Sequence, residues 1–274
     1  MTSEKHFYRR TEEWLDRFLE LDPVAATWLG EHRWDDRLGD YGLDALESQH
    51  QETLEALGGF QATDVHDFSL DAQIDHTLTV QIVGSFVREH EEIRSHLRDP
   101  GRYLEEVLDG IFALIVRDFA PLPERLRSAL SRMQQVPRAL DQGRANLIAE
   151  EVPPVWIELA LEQAQQAPGL LVGLLPSLAR QAAPALEEDL AKAGHAATEA
   201  VRHYAVYVEN ELRPRAVGNF AVGERLFNDK LREEHLVSYN ADELLEIGWE
   251  QFRQTQQQME ELAEQIAPGR SVDE

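Results

Sequence analysis

Cysteine is absent from this 274-residue chain. Disulfides, thiol nucleophiles, thiolate zinc sites and cysteine-ligated iron–sulfur clusters are therefore excluded. Positive charge is scarce: 26 Lys and Arg stand against 51 Asp and Glu, a formal net charge of −25. Phosphate surfaces need clustered cations, so neither nucleic acid nor a membrane is an expected partner. Among the cations only Lys5, Lys192 and Lys230 are lysine, and the arginines are suited to fixed pairs with carboxylates. Long hydrophobic runs are missing too. The greasiest stretches are residues 112–116 and 170–175, whereas a membrane span needs about 20 apolar residues. The opening MTSEKHFYRRTEEW has no apolar core of the signal-peptide kind, so a cytoplasmic protein is the expectation. Gly and Pro number 16 and 12, too few for a disordered or collagen-like chain.

What remains is helical. No run alternates with period 2, while Tyr8, Thr11, Trp14-Leu15 and Phe18-Leu19 recur at three and four. Asp22-Pro23 and Asp99-Pro100 each read as an N-cap followed by proline at the first helical position. Gly30 ends one helix, and Gly58-Gly59 is expected to stop another that starts at Leu43. Ser69 caps a helix carrying Leu70, Ile74, Leu78, Ile82 and Phe86 four apart. The helix from Pro100 has apolar residues on several sides and is the expected centre of the core. Prolines from Pro121 to Pro184 cut the middle into short helices, each proline placed near a helix start. The last helix has a capping box, Asn240 and Glu243. Leu245, Phe252, Met259 and Ile266 then recur every seven residues, joined by Gly248, Thr255 and Leu262. This seam suits antiparallel packing inside one domain, or a coiled-coil contact with another chain. The expectation is an all-α, bundle-like array of about ten helices in a single helical domain, residues 1–274.

Chemistry-bearing motifs are few. His-Glu-x-x-His does not occur, and no two histidines stand four apart; the nearest pairs are His90/His96 and His195/His203. Glu47-x-x-His50 has the spacing used by carboxylate-bridged metal bundles, but such a site needs two of these helices and only one is present. Asp71, Asp75 and His76 read as a solvated face. No nucleophile elbow, Walker sequence or dinucleotide fingerprint appears. Neither a catalytic residue nor a metal ligand is therefore assigned. Two loops could form part of a cleft. In Asp35–Asp40, Arg37 lies between Asp36 and Asp40, and one guanidinium could bridge both carboxylates. In residues 215–224, Asn219 lies between glycines that permit close approach. Tyr239 is a third cleft candidate.

The stretch Phe18–Asp40 (FLELDPVAATWLGEHRWDDRLGD) resembles the opening of the bacterial domain of unknown function 885. Residues 223–266, with Leu231, Tyr239, Asp242–Gly248 and Met259, resemble a later segment of that family. Members of that family are typically about twice this length and largely helical, and are predicted to be zinc metallopeptidases with a histidine–glutamate helix in the second half. The resemblance implies that this chain is an N-terminal half forming one wall of a peptidase-like cleft. It would hold no cofactor and be inactive alone, with zinc in the full-length protein. Its partners would be a C-terminal catalytic half of the same protein, and peptides. The other reading is a non-enzymatic helical scaffold or protein-interaction domain.

Overall fold

In the computed structural model, which describes residues 3–270, the caps legible in the sequence set the frame. Helix α1 (Ser3–Leu21) stops at Asp22, whose carboxylate accepts from the Ala25 N–H and opens α2 (Pro23–Leu29). Gly30, at φ 91°, ends α2 in the left-handed region that glycine enters without strain. An irregular segment leads to α3 (Leu43–Gln61) and then α4 (Leu70–Arg88), capped by Ser69. A π-helical turn, Glu89–Ile93, and a short α5 (Ser95–Arg98) come next. Asp99 caps α6 (Pro100–Val116) through the Gly101 and Arg102 N–H groups. The remaining helices of this part are α7 (Leu122–Asn146), α8 (Pro154–Pro168), α9 (Leu175–Ala182) and α10 (Glu187–Tyr207). After Phe220 the chain divides into a second compact unit. It holds α11 (Glu224–Glu233) and α12 (Ala241–Ile266), whose capping box has both of its hydrogen bonds. The all-α, multi-helix array read from the sequence is thus what forms.

The core of the first unit lies where α6 packs on α7 and α8, and α7 on α10. Leu104, Val107, Ile111 and Leu114 of α6 meet Leu126, Met133, Val136 and Leu140 of α7, all essentially fully buried. Each such side chain contributes roughly 1.5–3 kcal/mol by leaving water. A second cluster, Phe7, Phe60, Phe68, Ala72 and Val83, joins α1, α3 and α4. The α6 C-terminus leaves carbonyls without helical partners. Buried Arg125 takes them up, donating to the Leu114, Ile115 and Arg117 oxygens.

Two local expectations are corrected, and one pattern proves to lie on the surface. Helix α3 runs through Gly58-Gly59 to Gln61; Gly59 makes room for the Arg10 guanidinium, which lies where its Cβ would stand and donates to its carbonyl, and does not end the helix. Pro137 sits inside α7, where tertiary packing on both sides holds a helix that the proline alone would interrupt. The stripe Leu70, Ile74, Leu78 and Ile82 on α4 is exposed. That helix turns its small face, Ala72, Thr79 and Val83, inward. Spacing of four marks a common face but not what the face meets.

Helices α6 and α7 approach closely at Gly143. A Cβ there would stand within 2.7 Å of Tyr103 ring carbons. That ring cannot yield, because it is buried and its hydroxyl bonds to the His96 carbonyl and Asn146. Gly→Ala inside a helix ordinarily stabilises by about 1 kcal/mol. Here the sign is reversed. Gly143→Ala should destabilise the chain by about 1–3 kcal/mol through overpacking, read as a lower denaturation midpoint at unchanged m-value.

Candidate functional site

The loop of residues 30–42 is held by one face of α7. Ser131 and the Gln135 amide both donate to the Asp36 carbonyl, at 2.7 and 2.8 Å. The Gln135 Oε1 accepts from the Leu38 N–H, and Arg138 donates to the Gly39 carbonyl. Gln142 takes the Tyr41 N–H and gives its amide to Asp40, while Asn146 donates to the Tyr41 carbonyl. These five residues recur every three or four positions, so they line one helix face. Arg37 does not bridge the two acids. It lies 3.8 Å from Asp36 with both side chains exposed. Asp40 is bound by Gln142 and the Gly42 N–H instead. The acid that goes inside is Asp35, which accepts from Thr27 at 2.7 Å and lies 3.0 Å from the His32 ring.

Asn219 is exposed, and its carbonyl accepts from Arg98. Its neighbour Gly218 makes its close approach to the protein's own backbone: its N–H donates to the Val152 carbonyl, and a Cβ would strike residues 151–152. Tyr239 is half exposed in the second unit, among Glu243, Glu246 and Trp249. Asp36, Arg37, Asp40 and Asn219 do not line the cavity described next.

That cavity, of about 420 Å³, lies within the first unit, and α1, α3, α4 and α6 contribute to it. One wall is aromatic: Trp14 stacks on Phe18 at 5.6 Å, and Phe18 meets Phe86 at 4.9 Å. The other side is polar and contains a pile of three imidazoles. His50 and His90 stack at 4.0 Å, and His90 and His96 at 4.5 Å, all nearly parallel. The π turn makes this possible. Arg94 closes it in the left-handed region, at φ 59°, and α5 then carries His96 to His90. His50 Nε2 lies 3.1 Å from Glu91, and His90 Nε2 lies 3.6 Å from Glu47. Metal-binding lone pairs lie in the ring plane, and parallel planes 4 Å apart share no point where one ion could sit. Among the described residues, no group of three or more His, Cys, Asp or Glu is placed to hold a metal ion. The zinc implied by the resemblance therefore has no fitting donor set there. Sequence spacing brought out only the pair His90/His96; the third ring, His50, comes from a distant helix.

Burial governs the charges below the cavity. Glu106, which accepts from the Tyr41 hydroxyl at 3.1 Å, is pushed up to about 7, first by burial and then by nearby Asp22. His96 is pushed down to about 4, by burial and then by His90. His90 is lowered as well, again chiefly by burial.

The family described as "Bacterial protein of unknown function (DUF885)" matches residues 23–274. The chain belongs to that family. The family match runs through nearly all of the chain, which corrects the expectation of an N-terminal half and, with it, of a C-terminal catalytic half as partner. No curated protein matches. Among solved structures, the fold is similar to that of a "putative lipoprotein of unknown function from Shewanella oneidensis". Identity is 20% and the TM-score 0.78, over 96% of this chain and 48% of that one. This chain thus spans about half the length of that protein. The expectation of a cytoplasmic hydrolase is corrected too. The fold is shared with a protein described as a lipoprotein, and no metal-binding group is assembled among the described residues. No helix among the described residues is long and apolar enough to cross a membrane.

Two tests follow from this geometry. Arg37→Ala should change stability by no more than about 0.5 kcal/mol, whereas Gln135→Ala, which leaves the Leu38 N–H without its partner and the Asp36 carbonyl with Ser131 alone, should cost about 1–3 kcal/mol in chemical denaturation. The second concerns pH. Glu106 holds its proton up to about 7 in the folded chain, against an ordinary 4.5, so its burial cost is full above pH 7 and relieved as pH falls towards 4.5. His96 acts oppositely: its share of stability is full above 6.5 and lost as pH falls towards 4. Glu106→Gln should therefore raise stability by roughly 2 kcal/mol at pH 8. That gain should vanish by pH 5, as thermal midpoints across that range will show.

Proposed function

We propose that the chain is a helical protein-interaction domain and that the apolar face of α12 is its contact surface. The observation that supports this is a 26-residue helix in which no residue is buried. Its seven-residue repeat nonetheless places Leu245, Phe252, Met259, Leu262 and Ile266 on one face, each about half exposed or more. Trp249 widens the face and meets Phe252 edge-on. Of the two packings expected for this seam, contact with another chain is the one this exposure supports. The capping box and Gln–Glu hydrogen bonds four apart, such as Gln254 to Glu250 and Gln257 to Glu261, support the helix without a packed core. A contiguous apolar patch of this extent characterises an interaction site rather than an idle surface. The seven-residue repeat is the pattern that an apolar helix or groove reads.

Exchanging Phe252 and Met259 together for Glu provides the test. The wild-type chain should bind a hydrophobic dye and associate with rising concentration in sedimentation. The double variant should do neither, at a denaturation midpoint within about 0.5 kcal/mol of wild type. A wild-type chain that is monomeric and dye-silent, with a variant destabilised by several kcal/mol, would place the seam in an internal core and end the reading.

A further inference from the structure

The cavity of the first unit has the size of a small-molecule site, about 420 Å³. Its polar groups are unequally satisfied. Arg17 gives its guanidinium to Glu52 and Glu20, and Arg10 donates to the Gly59 carbonyl. Arg102 is different. Its guanidinium makes no side-chain hydrogen bond among the described residues. It has only ion pairs at 3.5 Å to Glu89 and 3.9 Å to Glu106. Glu89 is in the same condition, with a buried Oε1 that accepts no hydrogen bond. Arg102 and Glu89 both line the cavity, and about one-third of each side chain is exposed. A planar fork of five N–H donors facing a carboxylate at 3.5 Å would ordinarily close to a bidentate pair below 3 Å. This pair stays open in a cavity whose other wall is aromatic.

The ligand's charge is constrained from both sides. A lone anion on Arg102 would join Asp22 and Glu89 near a single guanidinium, with Glu106 adding its charge above about pH 7. A lone cation on Glu89 would meet Arg102 at once. A molecule carrying both charges on neighbouring atoms fits between the two, adds no net charge and leaves an apolar body for Trp14, Phe18 and Phe86. We propose that this cavity binds an α-amino acid with an apolar or aromatic side chain, its carboxylate on Arg102 and its ammonium on Glu89.

L-phenylalanine is the probe, titrated calorimetrically into the intact chain beside 3-phenylpropionate, which lacks the ammonium, and 2-phenylethylamine, which lacks the carboxylate. The amino acid should saturate with a Kd near or below the millimolar range, and each analogue should bind about tenfold or more weakly, one charged contact being lost in each. Glu89→Gln should weaken L-phenylalanine by a similar factor and leave 3-phenylpropionate unchanged. Arg102→Gln should weaken the amino acid and leave 2-phenylethylamine unchanged. Because Arg102 is partly buried, Phe18→Ala offers an independent check: it should weaken all three compounds together, with the thermal midpoint recorded for every variant. Equal binding of the three compounds overturns the proposal. So does the absence of saturation by L-phenylalanine at roughly 10 mM, tenfold beyond a millimolar Kd.

Discussion

A single buried guanidinium ties the first unit together. Arg132 of α7 is fully inaccessible to solvent and donates to the Gly110 carbonyl of α6, the Pro23 carbonyl and the Thr27 hydroxyl of α2. Thr27 in turn bonds Asp35, which brings the loop after α2 into the same network. Burial lowers Arg132 to about 10, which leaves it charged at neutral pH. A buried charge is costly unless its donors find partners, and Arg132 finds three oxygens while its buried Nε finds none. Four segments must therefore meet in one arrangement around it. Gly110 belongs to the same constraint, because a Cβ there would press on Val24 and Leu38, so α2 and the loop can lie directly on α6.

Arg102 and Arg132 stand on adjacent helices and illustrate two uses of the same side chain. Arg132 is bonded to backbone and hydroxyl oxygens, and what it holds is structure. Arg102 faces carboxylates it does not hydrogen-bond, at the edge of a cavity with an aromatic wall. The histidine stack beside it extends the contrast. Two of its rings are held towards the neutral form, chiefly by burial, so the cavity floor gains hydrogen-bonding capacity without gaining charge. In a chain with a net charge of −25, such a balanced interior requires cations to be concentrated where the acids go inside.

Local signals were legible in the sequence. Asp22-Pro23, Asp99-Pro100, Ser69 and the Asn240–Glu243 box all cap helices as read, because a cap involves atoms only a few residues apart. The burial of α6 was legible too, since a helix apolar on several sides has little polar surface to turn outward. Signals that depend on a distant partner were not. Gly58-Gly59 resembles a stop until Arg10 lies against it. Arg37 resembles a clamp until the α7 face takes the loop by its backbone. Gly218 resembles a ligand-facing glycine until it meets Val152.

The sequence by itself determined the helical class, most helix starts and the seven-residue repeat of α12, because each follows from backbone sterics, capping hydrogen bonds or periodicity within one segment. Only the tertiary structure decided which faces are covered. The apolar stripe of α4 and the seam of α12 are exposed, while a small-residue face and a charged arginine go inside. It alone also brought His50, His90 and His96 into one stack and set Arg102 against Glu89. His50 comes from a distant helix, and Glu89 opens the π turn while Arg102 lies beyond α5, so no periodicity within one helix records that these side chains share a cavity.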